Sequence, residues 1–487
     1  MKIGKLKKTL ALTTATALMA LLAACGNQAQ KSSDSSSQDK ALAPPNKDTI
    51  TLGVGGSVPT LDPALVNDQT SSRVVDDLFE GLVSENQDNE PVPGVAKSWD
   101  ISKDGKVYTF HLRENARWSN GQPVIADDFV FAIKRTLDPT TGAPNAGNLD
   151  MIENARAILD GRLNPDKLGI KAVDAHTLQI TLAHPLAYFP SVLTNTIAFP
   201  VYPPAIKKWG KAWAQPGHMV SNGAYAIKEW IPNGHLLAVK NPNYWDHANV
   251  KIPRVIYLPI SNMTDSLNQY NAGQIDMTYW LPPGRSAEQY RQQYGSQFVD
   301  VTMLGTYYYA FNTKLPGLDK VSVRKALTMT IDRKAIVDHI LRMGQTPLYG
   351  IVPDGIQSGM YKDLYKQLPS YDWVDQPLDQ RQQEAKKLMQ EAGFSAQHPL
   401  KITILYNTDQ GHLLVAQAII QMWKDAFGDM IEAKTENEEW KVFLQTVNQH
   451  KFDVARQSWI ADFNAASNFV TIAARHGERN ARSSRPG

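Results

Sequence analysis

The sequence predicts a mixed α/β protein of two or three lobes, on three observations. A chain of 487 residues, 43% hydrophobic and 20% charged, is too long for one compact core and too apolar to stay disordered. Strand-like alternation and helix-like periodicity succeed one another along its length. No fixed-period repeat occurs, which excludes solenoids and propellers.

The first segment reads as an address and an anchor. Lys2, Lys5, Lys7 and Lys8 lead into an apolar run from Leu10 to Leu22 that ends at Leu22-Ala23-Ala24-Cys25-Gly26. A membrane-spanning helix needs about 20 apolar residues, and this run is shorter and closes on small residues beside a cysteine. Residues 1–24 therefore read as a lipoprotein signal peptide, and Cys25 as the residue that takes a diacylglycerol. Each buried lipid CH₂ contributes about 0.8 kcal/mol, so two or three acyl chains, palmitate among them, hold a soluble body at a membrane. The expected location is the cell membrane, lipid-anchored on its extracytoplasmic face. Residues 25–48, rich in Ser, Gln, Lys and Asp, form a flexible tether after the lipidated cysteine, with folded structure from about Thr49.

Cys25 is the only cysteine, so an internal disulfide and a Cys-based zinc site are both excluded. Formal net charge is +2, and the four leader lysines account for the excess, leaving no electrostatic case for nucleic acid.

Beyond the tether, Thr49 to Val54 has the β-branched alternation of a strand and runs into a Gly-Gly turn. Lys106 to Leu112 is similar, and Lys103-Asp104-Gly105 supplies the turn of a hairpin. Thr177 to Leu182, His235 to Val239, Arg254 to Leu258 and Lys401 to Tyr406 are further strands. Helices are expected over Ala126 to Leu137, Ser322 to Met343 with Ser322 as cap, and Gln380 to Glu391.

Motifs for catalysis are wanting. Gly53-Val54-Gly55-Gly56 lacks the later glycine, the Lys-Ser/Thr and the helix of a phosphate cradle, and reads as a turn. No G-x-S-x-G elbow occurs, and none of the eleven histidines is paired at H-x-x-x-H spacing. Asp127-Asp128 opens a helix, where the carboxylates complement its dipole. Eleven Trp and eighteen Tyr are more suggestive, with Tyr307, Tyr308 and Tyr309 on alternating faces of an extended segment. Aromatic rims give contact area at low entropy cost and suit a cleft for organic ligands.

Longer blocks carry a resemblance. Val95-Ala96-Lys97-Ser98-Trp99, Asp104 to Arg113, Trp118-Ser119-Asn120-Gly121-Gln122-Pro123 and Ala126-Asp127-Asp128-Phe129-Val130 together resemble the signature of the peptide and nickel class of extracellular solute-binding proteins, family 5. Leu61-Asp62-Pro63, Asp77 to Leu82, Ser221 to Tyr225, Asn241 to Trp245, Val323 to Leu327 with Ile331-Asp332-Arg333, and Glu384 to Leu388 running into Ala392-Gly393-Phe394 agree. The match runs from about Thr49 to Phe469, and is similar above all to the oligopeptide-binding members.

The resemblance implies a periplasmic-binding-protein-like, two-lobed α/β fold of the class with an extra domain. Lobe I would comprise 49–79 and 203–304, the extra domain 80–202 packed on it, and lobe II 305–470. Residue by residue, Asp462 in Trp459-Ile460-Ala461-Asp462-Phe463-Asn464 would receive a peptide's α-ammonium, and Trp440 would line a side-chain pocket. His412 and Arg456 would meet the peptide carboxylate. Ser458 and Ile460 would pair with the ligand backbone, Asn67 and Gln69 would approach from the other lobe, and Tyr308 would join the peptide contacts. Strand-like pairing of this kind tolerates many sequences.

Two departures accompany it. Some family members carry a lobe II disulfide, which this chain cannot form. After Phe469, residues 471–487 form an aberrant Arg-rich tail where the family continues, so lobe II is expected to be incomplete and the C-terminal part of the fold missing. The implied function is a monomeric, lipid-anchored oligopeptide receptor of an ABC importer, delivering short peptides to permease and ATPase subunits. It would be no enzyme and need no cofactor or metal. Alternatives on the same scaffold are a peptide-pheromone or adhesive surface lipoprotein, or a non-functional truncated copy.

Overall fold

The computed structural model describes residues 48–87, 90–356, 364–368, 370–461 and 465–470. Cys25, Asp462 and the tail 471–487 lie outside the described residues. In chain order the strands are β1 (Thr49–Gly53), β2 (Val83–Glu85), β3 (Pro91–Pro93), β4 (Ala96–Ile101), β5 (Val107–Leu112), β6 (Ile170–Asp174), β7 (Thr177–Thr181), β8 (Tyr225–Ile231), β9 (His235–Lys240), β10 (Arg254–Leu258), β11 (Gly305–Phe311), β12 (Leu400–Asn407), β13 (Ile431–Glu438) and β14 (Val454–Ile460). The helices that matter below are α1 (Gln69–Leu78), α2 (Ala126–Leu137), α3 (Val321–Met329), α4 (Leu378–Glu391), α5 (Gln410–Phe427) and α6 (Trp440–Asn448).

Three sheets of four strands and one of two result. The first has the order β1-β10-β9-β8, with β1 parallel to β10 and the rest antiparallel. The second, β4-β5-β7-β6, is antiparallel throughout, and β2 pairs with β3 alone. The third has the order β11-β14-β12-β13, in which β12 runs parallel to both its neighbours. The turn expected at Lys103-Asp104-Gly105 closes β4 onto β5, and Gly105 takes φ +71°, a conformation that disfavours a side chain.

Hydrophobic burial follows these sheets. One core gathers residues from Val54 to Tyr257, including Trp118, Phe129, Phe189 and Trp213. A second gathers Leu318 to Val454, including Trp373, Ile404, Trp423 and Phe427. A smaller cluster joins Val352, Ile356 and Phe469, with Tyr308 and Trp459 against it. Polar ties run through the first core. Asp62 takes the Arg135 guanidinium at 2.9 and 2.5 Å and the Trp213 indole N–H at 3.2 Å. Glu80 accepts from Tyr244 and Trp245, each at 2.6 Å.

The expected strands and the helices at Ala126 and near Gln380 recur, with ends shifted by at most two residues. The single helix expected from Ser322 to Met343 does not form. Helix α3 begins at Val321 after Lys320, so Ser322 lies inside its first turn and caps nothing. It stops at Met329, where the Thr330 hydroxyl donates to the Leu327 carbonyl at 3.1 Å. The Asp332 carboxylate then accepts from the Ala335 N–H, starting a new short turn that continues as a π-helix over Ile336–Leu341. Local side-chain hydrogen bonds thus compete with the helix at residues whose spacing still looks helical.

Candidate functional site

A seam joins elements of the first and third sheets. On one side, β1 ends in a bend through Val54, Gly55 and Gly56, and the stretch Asn67–Asp68 leads into α1. Asp68 is the N-cap of α1, its Oδ1 accepting the Ser71 N–H at 2.9 Å. On the other side stands Trp440, the first residue of α6, stacked on Phe443. Its indole Nε1 donates to the same Asp68 Oδ1 at 3.3 Å. A Cβ placed on Gly56 would lie 3.4 Å from that of Trp440, an ordinary contact, so the two walls meet closely at this bend.

Asp68 is buried and its Oδ2 has no hydrogen-bond partner. Burial pushes its carboxyl above the usual range, against the lowering effect of the Ser71 and Trp440 hydrogen bonds. Nearby, Gln69 accepts from the Tyr279 hydroxyl at 2.5 Å, and Arg73 covers the Tyr279 ring at 3.0 Å. A concavity of about 340 Å³ opens at the same seam, lined on one side by Val54, Ser57, Trp230 and His235 and on the other by Glu439 and Lys441, which flank Trp440.

A second group forms a cationic corner. Asp409 caps α5 through the His412 N–H at 2.9 Å, which places the His412 ring beside β11. The Tyr307 hydroxyl sits 3.3 Å from His412 Nδ1 and 3.4 Å from the Tyr309 hydroxyl. Arg456 on β14 lies 4.7 Å over the Tyr307 ring and donates to Asn407 Oδ1 at 3.2 Å, while its buried Nε has no partner. Tyr307 is 41% exposed, whereas the His412 side chain beside it is largely covered. Burial first, and the Arg456 charge second, push the His412 imidazole well below its ordinary range. His412 therefore stands neutral near pH 7 and Arg456 carries the positive charge.

The backbone supplies a third feature. Strand β14 pairs with β12 only at Val454 and Ala455, but with β11 from Val454 to Ile460. From Arg456 to Ile460 one edge of the strand is therefore open, a ready row of N–H and C=O groups for another extended chain.

Of the residues named from the sequence, Trp440, Asn67 and Gln69 come to the seam, and His412 and Arg456 share the corner. Ser458 and Ile460 lie on the open stretch of β14. Tyr308 projects from the other face of β11 and packs with Val352, Ile356 and Phe469, away from the Tyr307–His412–Arg456 group. Asp462 lies outside the described residues. Sequence reasoning passed over Asp68, Gly56, Asn407 and Tyr279. The alternation at 307–309 puts Tyr307 and Tyr309 on one face of β11 and Tyr308 on the other.

Residues 90–480 match the model of the bacterial extracellular solute-binding proteins, family 5. The chain is 39% identical over 436 residues to the periplasmic oligopeptide-binding protein OppA of Escherichia coli, covering 89% of this chain and 78% of that protein. The structure of Haemophilus influenzae OppA in complex with the peptide RPPGFSPFR superposes with a TM-score of 0.83 at 37% identity, covering 87% of this chain and 82% of that one. The murein tripeptide-binding protein MppA of Escherichia coli superposes at 0.81, covering 87% and 81%, whereas its unliganded open form reaches only 0.57, covering 88% and 81%. Identity is 39% and 38% in the two cases, so the fall reflects lobe arrangement, and the arrangement here is far from that open form. With its two-lobed sheets, its apposed lobes and these relatives, the chain belongs to family 5 of the bacterial extracellular solute-binding proteins.

Proposed function

We propose that this chain is a receptor that encloses a short peptide between its lobes and hands it to an ABC importer, held at the outer face of the cell membrane by a lipid on Cys25. The observation that carries this reading is the open edge of β14 from Arg456 to Ile460, beginning at a guanidinium with a buried, unpartnered Nε. Main-chain hydrogen bonds to that edge suit any peptide sequence, and the cation suits a peptide's terminal carboxylate. Asp68 and Trp440 close the opposite wall, and Trp440 lines a side-chain pocket. Asp462 takes the α-ammonium in this scheme, a charge-assisted hydrogen bond contributing about 1.5–3 kcal/mol. Ser458 and Ile460 give the backbone pairing, with Asn67 and Gln69 approaching from the first lobe. No bond is made or broken, and opening and closing of the lobes is the working motion.

Native mass spectrometry of the purified protein tests the ligand class, through the masses of co-purifying peptides. Calorimetric titration tests the geometry. Asp462→Asn should weaken tripeptide binding roughly tenfold or more, and Arg456→Met should do the same for a free-carboxylate peptide but not for its amide. Equal affinity of the wild type for free and N-acetylated peptides would remove the role given to Asp462.

A further inference from the structure

A pair of arginines in the third sheet's lobe shares no residue with the cleft. Arg381, in the first turns of α4, is 7% exposed, yet its Nε and Nη1 have no hydrogen-bond partner. Arg333 spends its Nη1 on the carbonyls of Thr328 and Ile331, both at 3.3 Å. Both guanidiniums border one indole, that of Trp373, at 5.9 Å for Arg333 and 6.0 Å for Arg381. Arg333 also lies 4.8 Å over Tyr349, and Tyr371 stacks on Trp373 at 5.4 Å.

Two nearby acids pair with Lys325, a third caps a turn, and Asp379 stands in the first turn of α4 without forming an ion pair to either arginine. Asp372 and Glu384 lie 3.8 and 3.0 Å from the Lys325 ammonium. Asp332 caps the turn at Ala335. Among the described residues, no carboxylate lies within ion-pair distance of either guanidinium. Burial lowers the Arg333 pKa, and the neighbouring Arg381 charge lowers it further.

A buried Arg381 and a half-buried Arg333, with no counter-ion among the described residues, are unfavourable neighbours, and aromatic faces offset only part of that cost. The free N–H groups of Arg381 form half of a fork whose natural partner is a pair of oxyanion oxygens. The start of α4 adds a favourable field for negative charge, which the Asp379 carboxylate in its first turn shares. We propose that Arg333 and Arg381 form a second ligand site that takes a small dianionic oxyanion of the inorganic phosphate class. Two positive charges that pair with no acid among the described residues call for two negative ones, which a single carboxylate lacks. Trp373 and Tyr349 wall the site and hold the guanidiniums in place.

The test is thermal unfolding of the full chain against rising inorganic phosphate, with ionic strength held constant by chloride. A ligand that binds the folded state raises the midpoint progressively with its concentration. The expected result is such a rise in the wild type, abolished in Arg381→Met and in Arg333→Met. If Arg381→Met does not fold, isothermal titration of the wild type and of Arg333→Met with phosphate decides the matter, with saturable heat near one equivalent expected only in the wild type. Absence of any phosphate response in the wild type would overturn the assignment. So would a response that survives loss of Arg333, or an equal response to acetate.

Discussion

Trp440 Nε1 and Asp68 Oδ1 meet at 3.3 Å, joining the first turn of a helix in one lobe to the N-cap of a helix in the other. The contact links residues 372 positions apart in the chain and holds the two walls of the seam together. Trp440→Phe keeps the ring stacked on Phe443 but deletes the donor. A net hydrogen bond contributes about 1 kcal/mol, so peptide affinity measured by calorimetry should fall roughly fivefold. An unchanged dissociation constant would remove the latch role.

Asp68 should make stability depend on pH. Its carboxyl in the folded chain titrates above the ordinary value of 3.8, chiefly through burial. A raised pKa contributes stability that is present below 3.8 and is lost as pH rises through the higher folded value. Asp68→Asn keeps an acceptor for Ser71 and Trp440 and removes the buried charge. The variant should therefore melt higher than wild type near neutral pH, with the gap closing as pH falls below 4 or so. A gap that widens in acid would reverse the argument.

His412 gives the opposite sign. Its folded pKa lies well below the ordinary 6.5, so its contribution is fully present above 6.5 and is lost as pH falls toward the folded value. Between about pH 6.5 and 5, wild type should lose more stability than His412→Gln, read as the difference between their unfolding midpoints. Parallel pH profiles would show that the imidazole is not held neutral.

Gly56 tests the closeness of the lobes. A Cβ there starts 3.4 Å from the Trp440 Cβ, already in contact, so a larger side chain presses on the opposite wall. Gly56→Leu should leave thermal stability within about 1 kcal/mol of wild type, while X-ray scattering shows a more open envelope and peptide affinity falls at least tenfold. A closed envelope in the variant would contradict this.

Asp62 tests the first core. It is buried, and its loss strands the Arg135 guanidinium and leaves the Trp213 indole N–H without its acceptor. Breaking a buried pair from one side costs about 3–5 kcal/mol, so Asp62→Ala should lower the urea midpoint strongly. A loss near zero would mean that Arg135 finds another acceptor.

The strands were legible because their residues alternate where they are half buried. In β5 and β7 the residues that alternate toward the core, Tyr108, Phe110 and Leu112 with Leu178 and Ile180, are buried one by one as their pattern requires. Helix α3 was misjudged because periodicity does not register a hydroxyl returning to its own backbone at Thr330 or a new cap at Asp332. In the site, Trp440, His412 and Arg456 were reached through motif resemblance. Asp68 was not, because nothing local distinguishes a capping aspartate from one that also meets an indole hundreds of residues away. Alternation says which of Tyr307, Tyr308 and Tyr309 share a face, but not what each face meets.

The dual character of β14 has a consequence for how the chain is made. Strand β11 has β14 as its neighbour in the sheet, and more than a hundred residues separate them in synthesis. Until β14 arrives, the tyrosine-rich β11 is an unmatched strand beside a half-built lobe, a natural target for holding chaperones and a hazard if they are absent. The same late segment that supplies the partner of β11 also bears the open edge, so a newly made molecule acquires both in one step.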